Sequence, residues 1–200
     1  MLKKITIIAF LFLFVNNIYS QIVKGYCIYN NGDTADIFLN NSKGLFKTGI
    51  SIESLQYRVK FYDSNNLKKI LKPYMAKEIS FILNGERIRM LSRQMPSGRI
   101  LFIQLISDGK LKLFKVYKTR QTVSGGGMYG APMVSGSYTV EKYYLQKNDE
   151  ELFKPLGISF RKEMMLFLSD CPNLAKKIEQ KVFSIENLEH IVYEYNETCR

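Results

Sequence analysis

The stretch GISFRKEMMLFLSDCPNLAKKIEQKVFSIENLEHIVYEYN, residues 157–196, is the only part of the sequence that reads as well-formed helix. Phe160, Met164 and Phe167 follow one another at intervals of four and three residues, which places them on one helix face. Pro172 disfavours helical backbone in the residue before it and fits the first turn of a new helix. The stretch therefore predicts three helices, over residues 159–168, over residues 173–181 and from residue 184 onward.

The sequence before this stretch reads as short strands joined by turns. Asn31-Gly32 and Asn84-Gly85 are strong hairpin signals, because asparagine and glycine tolerate the positive φ angles of tight turns. Apolar residues alternate with polar ones through residues 54–62, which predicts a strand there. Residues 100–106 form a nearly continuous apolar run, which is typical of a central strand buried on both faces.

These patterns predict an α+β protein. Its antiparallel β-rich body, an open barrel or a sandwich of short hairpins, would cover residues 21–156. The C-terminal helical module of residues 157–200 would pack on this body as part of the same domain, since each layer has an apolar face to bury.

Residues 1–20 have the features of a secretory signal peptide. Lys3 and Lys4 precede an apolar run over residues 5–15, which is too short to span a bilayer, and Ser20 suits cleavage. No second apolar run of transmembrane length follows, so we predict no transmembrane segment in the mature chain. The protein is expected to be exported, and to be periplasmic, outer-membrane-associated or secreted.

The charge of the chain is strongly basic. The formal net charge is +11, and loss of Lys3 and Lys4 with the leader would leave +9. In an envelope compartment the matching partners are an acidic protein, a phosphorylated lipid head group or an acidic polysaccharide, whereas nucleic acid does not fit export. Arg87 and Arg89 lie on one face of a strand predicted over residues 87–91, Arg93 lies just beyond it, and the three are a candidate basic patch. A basic surface with no functional role remains the alternative.

Three cysteines leave an odd number for pairing. Export permits a disulfide, and Cys171 with Cys199 is the favoured pair because both lie in the C-terminal module. The alternative is that all three are free thiols, with Cys27 buried in a strand.

A glycine-rich segment, TVSGGGMYGAPMVSG, covers residues 122–136 and contains G-x-G-x-x-G. A dinucleotide site needs a helix to begin at such a motif, and the Ala-Pro that follows allows none, so no cofactor is predicted. Met128, Tyr129 and Met133 are a candidate partner-contact loop, with a plain mobile connector as the alternative.

The single histidine does not indicate a metal or catalytic site. Glu186, His190 and Glu194 are spaced by four, but this row lies opposite the apolar face of its helix. No G-x-S-x-G elbow accompanies the histidine, so neither a metal ligand nor a catalytic residue is assigned. A pair of carboxylates on the sheet has no spacing signature and stays open.

Two segments resemble a large group of uncharacterised exported proteins from Bacteroidota. They are IVKGYCIYNNGDTADIFL at residues 22–39 and LSDCPNLAKKIEQKVFSIENLEHIVYEYN at residues 168–196. The resemblance implies export and implies no particular activity. In such organisms Asp33-Thr34-Ala35 is similar to an O-glycosylation acceptor pattern, which makes Thr34 a candidate modification site.

The first functional hypothesis is a non-enzymatic envelope protein, with an interaction or structural role, that makes its contacts through a basic surface. The second is an exported hydrolase with a carboxylate-based site on the sheet. The third is a small-ligand-binding protein with a pocket between the sheet and the helices.

Overall fold

A computed structural model of the chain describes residues 22–41, 43–44, 47–124 and 133–199. The predicted signal peptide lies outside the described residues, as do Met128 and Tyr129 of the predicted contact loop. Met133 is described in its backbone only.

Nearly half of the described chain is β-strand. The strands are β1 (Ile22–Tyr29), β2 (Thr34–Asn40), β3 (Lys43–Gly44), β4 (Lys47–Thr48), β5 (Val59–Tyr62), β6 (Lys68–Leu71), β7 (Ala76–Leu83), β8 (Glu86–Gln94), β9 (Ile100–Ser107), β10 (Leu111–Ser124) and β11 (Met133–Lys147). Antiparallel pairing joins nine of them into one sheet, in the order β11-β10-β9-β8-β7-β1-β2-β5-β6. The short strands β3 and β4 pair only with each other.

Four α-helices accompany these strands in the described residues: α1 (Ile52–Leu55), α2 (Phe160–Phe167), α3 (Pro172–Glu179) and α4 (Leu188–Thr198). Two short 3-10 helices, Pro73–Met75 and Ile185–Asn187, precede β7 and α4. The prediction of an α+β protein with an antiparallel β-rich body is confirmed. The predicted three-helix module is confirmed in part, because its last helix begins with a 3-10 turn and becomes α-helical only at Leu188.

The C-terminal helices cover one end of the sheet. Their apolar faces pack on the fully buried side chains of Leu111, Leu113 and Leu145 from β10 and β11. Each helix face alone would leave its apolar side chains in water, so burial against the sheet is what stabilises the module. The helix residues fully buried in this cluster are Met164, Leu168, Leu174, Ile178, Ile191 and Val192.

A second cluster lies at the other end of the sheet, which curves around it. Strands far apart in the sheet order contribute to this cluster, including Val59 and Phe61 from β5 and Phe102 from β9. Gly25 in β1 allows the close approach of β7, because a Cβ atom there would lie 2.3 Å from the Ser80 carbonyl oxygen.

The strand predicted over residues 54–62 is wrong in its first half. The Ser51 hydroxyl accepts a hydrogen bond from the Ser54 N–H, and this N-cap begins the single turn of α1 instead. Gln56 then enters the core with no exposed surface. Alternation alone could not distinguish these outcomes, because Leu55 is buried in both.

Candidate anion-binding surface

The three arginines of the predicted basic patch are held by other side chains. Arg89 donates two hydrogen bonds to the Glu78 carboxylate, at 2.9 and 3.0 Å, and a third to Asp108 at 2.9 Å. The bond to Glu78 is the main cause that raises the pKa of Arg89 above its ordinary value. Two carboxylates therefore neutralise the charge of Arg89.

Arg93 and Arg87 also have side-chain partners. Arg93 donates to the Gln146 side chain at 3.0 Å and lies 3.5 Å from the Asp149 carboxylate. Arg87 donates to the Tyr26 hydroxyl at 2.7 Å. The three arginines of the predicted patch thus take part in hydrogen bonds and ion pairs that link β8 to β1, β7 and β11, and Arg89 and Arg93 have carboxylate partners.

A group of positive charges without carboxylate partners in the described residues lies on the ribbon of β10 and β11. The register of the two strands places Lys118 opposite Val140, Arg120 opposite Tyr138, and Lys142 opposite Val116. Successive side chains of a strand alternate between faces, so Lys118, Arg120 and Lys142 lie on the same face of the ribbon.

Lys154 completes this group from the chain that follows β11. Phe153 exchanges two backbone hydrogen bonds of 2.8 Å with Leu145, which is an antiparallel bridge. The next pair in this antiparallel register is Tyr144 and Lys154. Tyr144 lies two residues after Lys142, so Lys154 lies on the same face of the sheet as Lys142. We call Lys118, Arg120, Lys142 and Lys154 the cationic face.

The cationic face has no carboxylate of its own in the part of the chain that the structure describes, because none of its four residues forms an ion pair there. Glu141, the neighbour of Lys142, points to the opposite side and pairs with Lys115 at 3.1 Å. Burial, followed by the positive charges of the other three residues, lowers the pKa of Lys142. The arrangement can attract an anion, because a bound negative charge would relieve this mutual repulsion.

A polar cleft of about 670 Å³ lies where this ribbon meets β8. Arg93, Met95, Gln146, Asp149 and Leu152 are among the residues that line it. The hydrogen bond from Lys112, at 2.7 Å, is the main cause that lowers the pKa of Asp149, and the charge of Arg93 adds to it. Asp149 is thus held ionised near neutral pH and suits an ion pair better than proton donation.

The space between the sheet and the C-terminal helices, where the third hypothesis expects a pocket, is filled by side chains. Leu113 and Leu145 of the sheet and Met164, Leu174 and Ile191 of the helices are all fully buried there. Close packing of this kind is typical of a protein core.

The remaining candidates occupy separate places. Cys171 and Cys199 form a disulfide with a Cα–Cα distance of 5.5 Å, while Cys27 is a free, fully buried thiol in β1. Thr34 is exposed at the start of β2. The His190 ring lies 5.2 Å from the ring of Phe183. Across the described ranges no group of three or more residues could hold a metal ion.

Sequence reasoning missed the cationic face. The alternation of Lys118 and Arg120 was visible in the sequence, but these residues lie more than twenty positions before Lys142. Only the pairing of β10 with β11 brings the two groups together.

Comparisons of the chain with family models, with curated proteins and with solved structures gave no match. Among the described residues no helix is both long enough and apolar enough to cross a bilayer.

Proposed function

We propose that the protein is an exported, non-enzymatic component of the cell envelope, and that its cationic face binds an acidic polysaccharide. The observation that carries this proposal is the set of four cations on one face of the β10–β11 ribbon with no carboxylate partner in the described residues. We also propose that the curved sheet forms an open barrel and that the three-helix C-terminal module packs over one end of it.

The shape of the cationic face favours an extended polymer. Its cations follow the ribbon from the level of Tyr138 to that of Tyr144, six residues apart on β11. At roughly 3.4 Å per residue this is a row of about 20 Å. A linear polyanion can place successive negative groups along such a row, and its contacts would be strongest at low ionic strength.

One carboxyl group beside the ribbon fits a binding role better than acid catalysis. Asp149, which lies in the cleft beside the ribbon, is held as a carboxylate by Lys112 and Arg93. An acid catalyst in a hydrolase would need a carboxyl group whose pKa is raised instead. The role in the envelope rests on the predicted signal peptide and on the basic charge of the chain.

The test compares binding of the mature chain to alginate, an acidic polysaccharide, and to neutral dextran by titration calorimetry at low and moderate salt. The triple variant Lys118→Gln, Arg120→Gln, Lys142→Gln should bind alginate roughly tenfold more weakly or worse at low salt. The matched control, Lys60→Gln, Lys68→Gln, Lys77→Gln, removes three exposed lysines on other strands. Equal losses in both variants would show attraction to net charge alone and would overturn the proposal.

A further inference from the structure

Three large aliphatic side chains of the helical module project into solvent. Ile158, just before α2, has a relative exposure of 106%, and Leu166 on α2 and Val182 after α3 have 69% and 58%. Each exposed aliphatic side chain forgoes the free energy of burial, so a group of them on one surface indicates a contact with an apolar phase.

These side chains belong to one surface. Ile158, Lys162 and Leu166 are four residues apart and therefore follow one face of α2 and the turn before it. A groove of about 440 Å³ is lined by residues 157–162 on one side and by Lys181 and residues 183–186 on the other. Lys181 therefore lies near the start of α2, and the exposed Val182 follows it in the chain.

The aliphatic side chains alternate with cations. Arg161, Lys162 and Lys181 are exposed, and none of them forms an ion pair within the ranges that the structure describes. We call the six residues Ile158, Arg161, Lys162, Leu166, Lys181 and Val182 the helical patch.

Two carboxylates lie close to the helical patch. The Glu163 carboxylate accepts hydrogen bonds from the Ser159 hydroxyl and from the Leu156 N–H. The Glu186 carboxylate, on the rim of the groove, accepts one from the Ser184 hydroxyl. The three cations outnumber these two carboxylates, so the patch keeps a net positive charge.

We propose that the helical patch attaches the protein to the surface of an anionic lipid bilayer. Aliphatic side chains between cations suit this partner, because the side chains can enter the boundary of the acyl chains while the cations meet lipid phosphates. An acidic polysaccharide would satisfy the cations but leave Ile158 and Leu166 in water. This site shares no residue with the cationic face and does not depend on the polysaccharide proposal.

Co-sedimentation of the mature chain with vesicles tests the attachment. The protein should sediment with vesicles of equal parts phosphatidylglycerol and phosphatidylcholine, and much less with phosphatidylcholine alone. The variant Ile158→Ser, Leu166→Ser should bind the mixed vesicles roughly tenfold more weakly or worse. The control Ile82→Ser removes a side chain of 61% exposure on the sheet and should bind like the unmodified protein.

A charge variant separates the two parts of the patch. The change Arg161→Gln, Lys162→Gln, Lys181→Gln should weaken binding by about fivefold per removed charge at low salt. Loss in this variant with full binding by Ile158→Ser, Leu166→Ser would mean simple electrostatic adsorption, and the proposal would be overturned. A protein that fails to sediment with the mixed vesicles would overturn it as well.

Two further measurements keep the outcomes distinct. The cationic-face variant Lys118→Gln, Arg120→Gln, Lys142→Gln should keep vesicle binding, so failure of the polysaccharide proposal does not decide this one. Light scattering after size exclusion should show one species of the same mass for the unmodified protein and for Ile158→Ser. A dimer that Ile158→Ser dissociates would instead assign the patch to a second copy of the chain and overturn lipid attachment.

Discussion

The side-chain amide of Gln56 pairs with the backbone of Tyr117 as a neighbouring strand would. Its oxygen accepts a hydrogen bond of 2.7 Å from the Tyr117 N–H, and its nitrogen donates one of 2.8 Å to the Tyr117 carbonyl. The regular pairing of β9 with β10 ends at Lys115, and the Gln56 amide forms the next pair of hydrogen bonds along the same edge of β10. The Gln56 carbonyl also accepts from the Phe102 N–H on β9, at 3.0 Å.

Replacement of Gln56 by alanine should destabilise the protein by about 3 kcal/mol, because it leaves two backbone groups of Tyr117 without partners in the core. Urea unfolding followed by circular dichroism measures the change. The control Gln121→Ala removes an exposed amide from β10, the strand that contains Tyr117, and should have little effect. A Gln56→Ala protein as stable as the Gln121→Ala protein would contradict the assigned role.

Asn196 on α4 repeats this arrangement at the other end of β10. Its side chain accepts from the Leu111 N–H and donates to the Leu111 carbonyl, both at 2.9 Å. Gly109 makes room for it, since a Cβ atom there would lie 2.6 Å from the amide.

Gly109→Ala should therefore cost about 2 kcal/mol of unfolding free energy, partly through this clash and partly through its φ of +150°. In an Asn196→Ala background the same change should cost less, because the clash is gone. A double-mutant cycle by urea unfolding measures the coupling, which we expect at about 1 kcal/mol. Strictly additive effects would show that the two residues do not meet.

The disulfide between Cys171 and Cys199 closes a loop with a sequence separation of 28 residues. Reduction should lower the unfolding free energy by about 3 kcal/mol, because the open loop gives the unfolded chain more freedom. Urea unfolding with and without dithiothreitol measures this difference. It should vanish in Cys171→Ser, Cys199→Ser and persist in Cys27→Ala, which lacks only the free thiol. A difference that persists in the double variant would have another origin.

Asp170 joins the helical module to the sheet and makes stability depend on pH. It pairs with Lys147 of β11 and accepts a hydrogen bond from the Tyr195 hydroxyl. Burial raises the pKa of Asp170, but these two partners outweigh it and the net change is a lowered pKa. A carboxyl group of this kind stabilises the folded state above its unfolded pKa, and the stabilisation is lost as the pH falls through the folded pKa.

Asp170→Asn should thus lower the unfolding free energy at pH 7 by about 1 kcal/mol, since half of the carboxylate side chain is exposed to solvent. The deficit should shrink as the pH falls below about 4. Thermal unfolding between pH 2 and pH 7 measures it, with Glu179→Gln as the control at an exposed carboxylate of the same module. A deficit that stays constant over this range would rule out the ionised pair as its source.

Much of the fold was predictable because its signals are local. The Asn84-Gly85 turn joins β7 to β8, and the apolar run of residues 100–106 lies within β9. The break at Pro172 begins α3. The local sequence pattern gave the wrong prediction at α1, where alternation predicted a strand. The position of Gln56 depends on its hydrogen bonds to Tyr117, sixty-one residues away, and no local pattern shows this partner.

The sequence by itself determined the β-rich body, the helical C-terminal end and the excess of positive charge, because turn residues, apolar spacing and composition act over short distances. The tertiary structure alone decided which cations are free. Arg89 and Arg93 meet carboxylates from β7 and from the loops after β9 and β11, whereas Lys118 and Lys142 share one face of the β10–β11 ribbon. Charge is a property of each residue, but neutralisation depends on neighbours that only long-range strand pairing brings together.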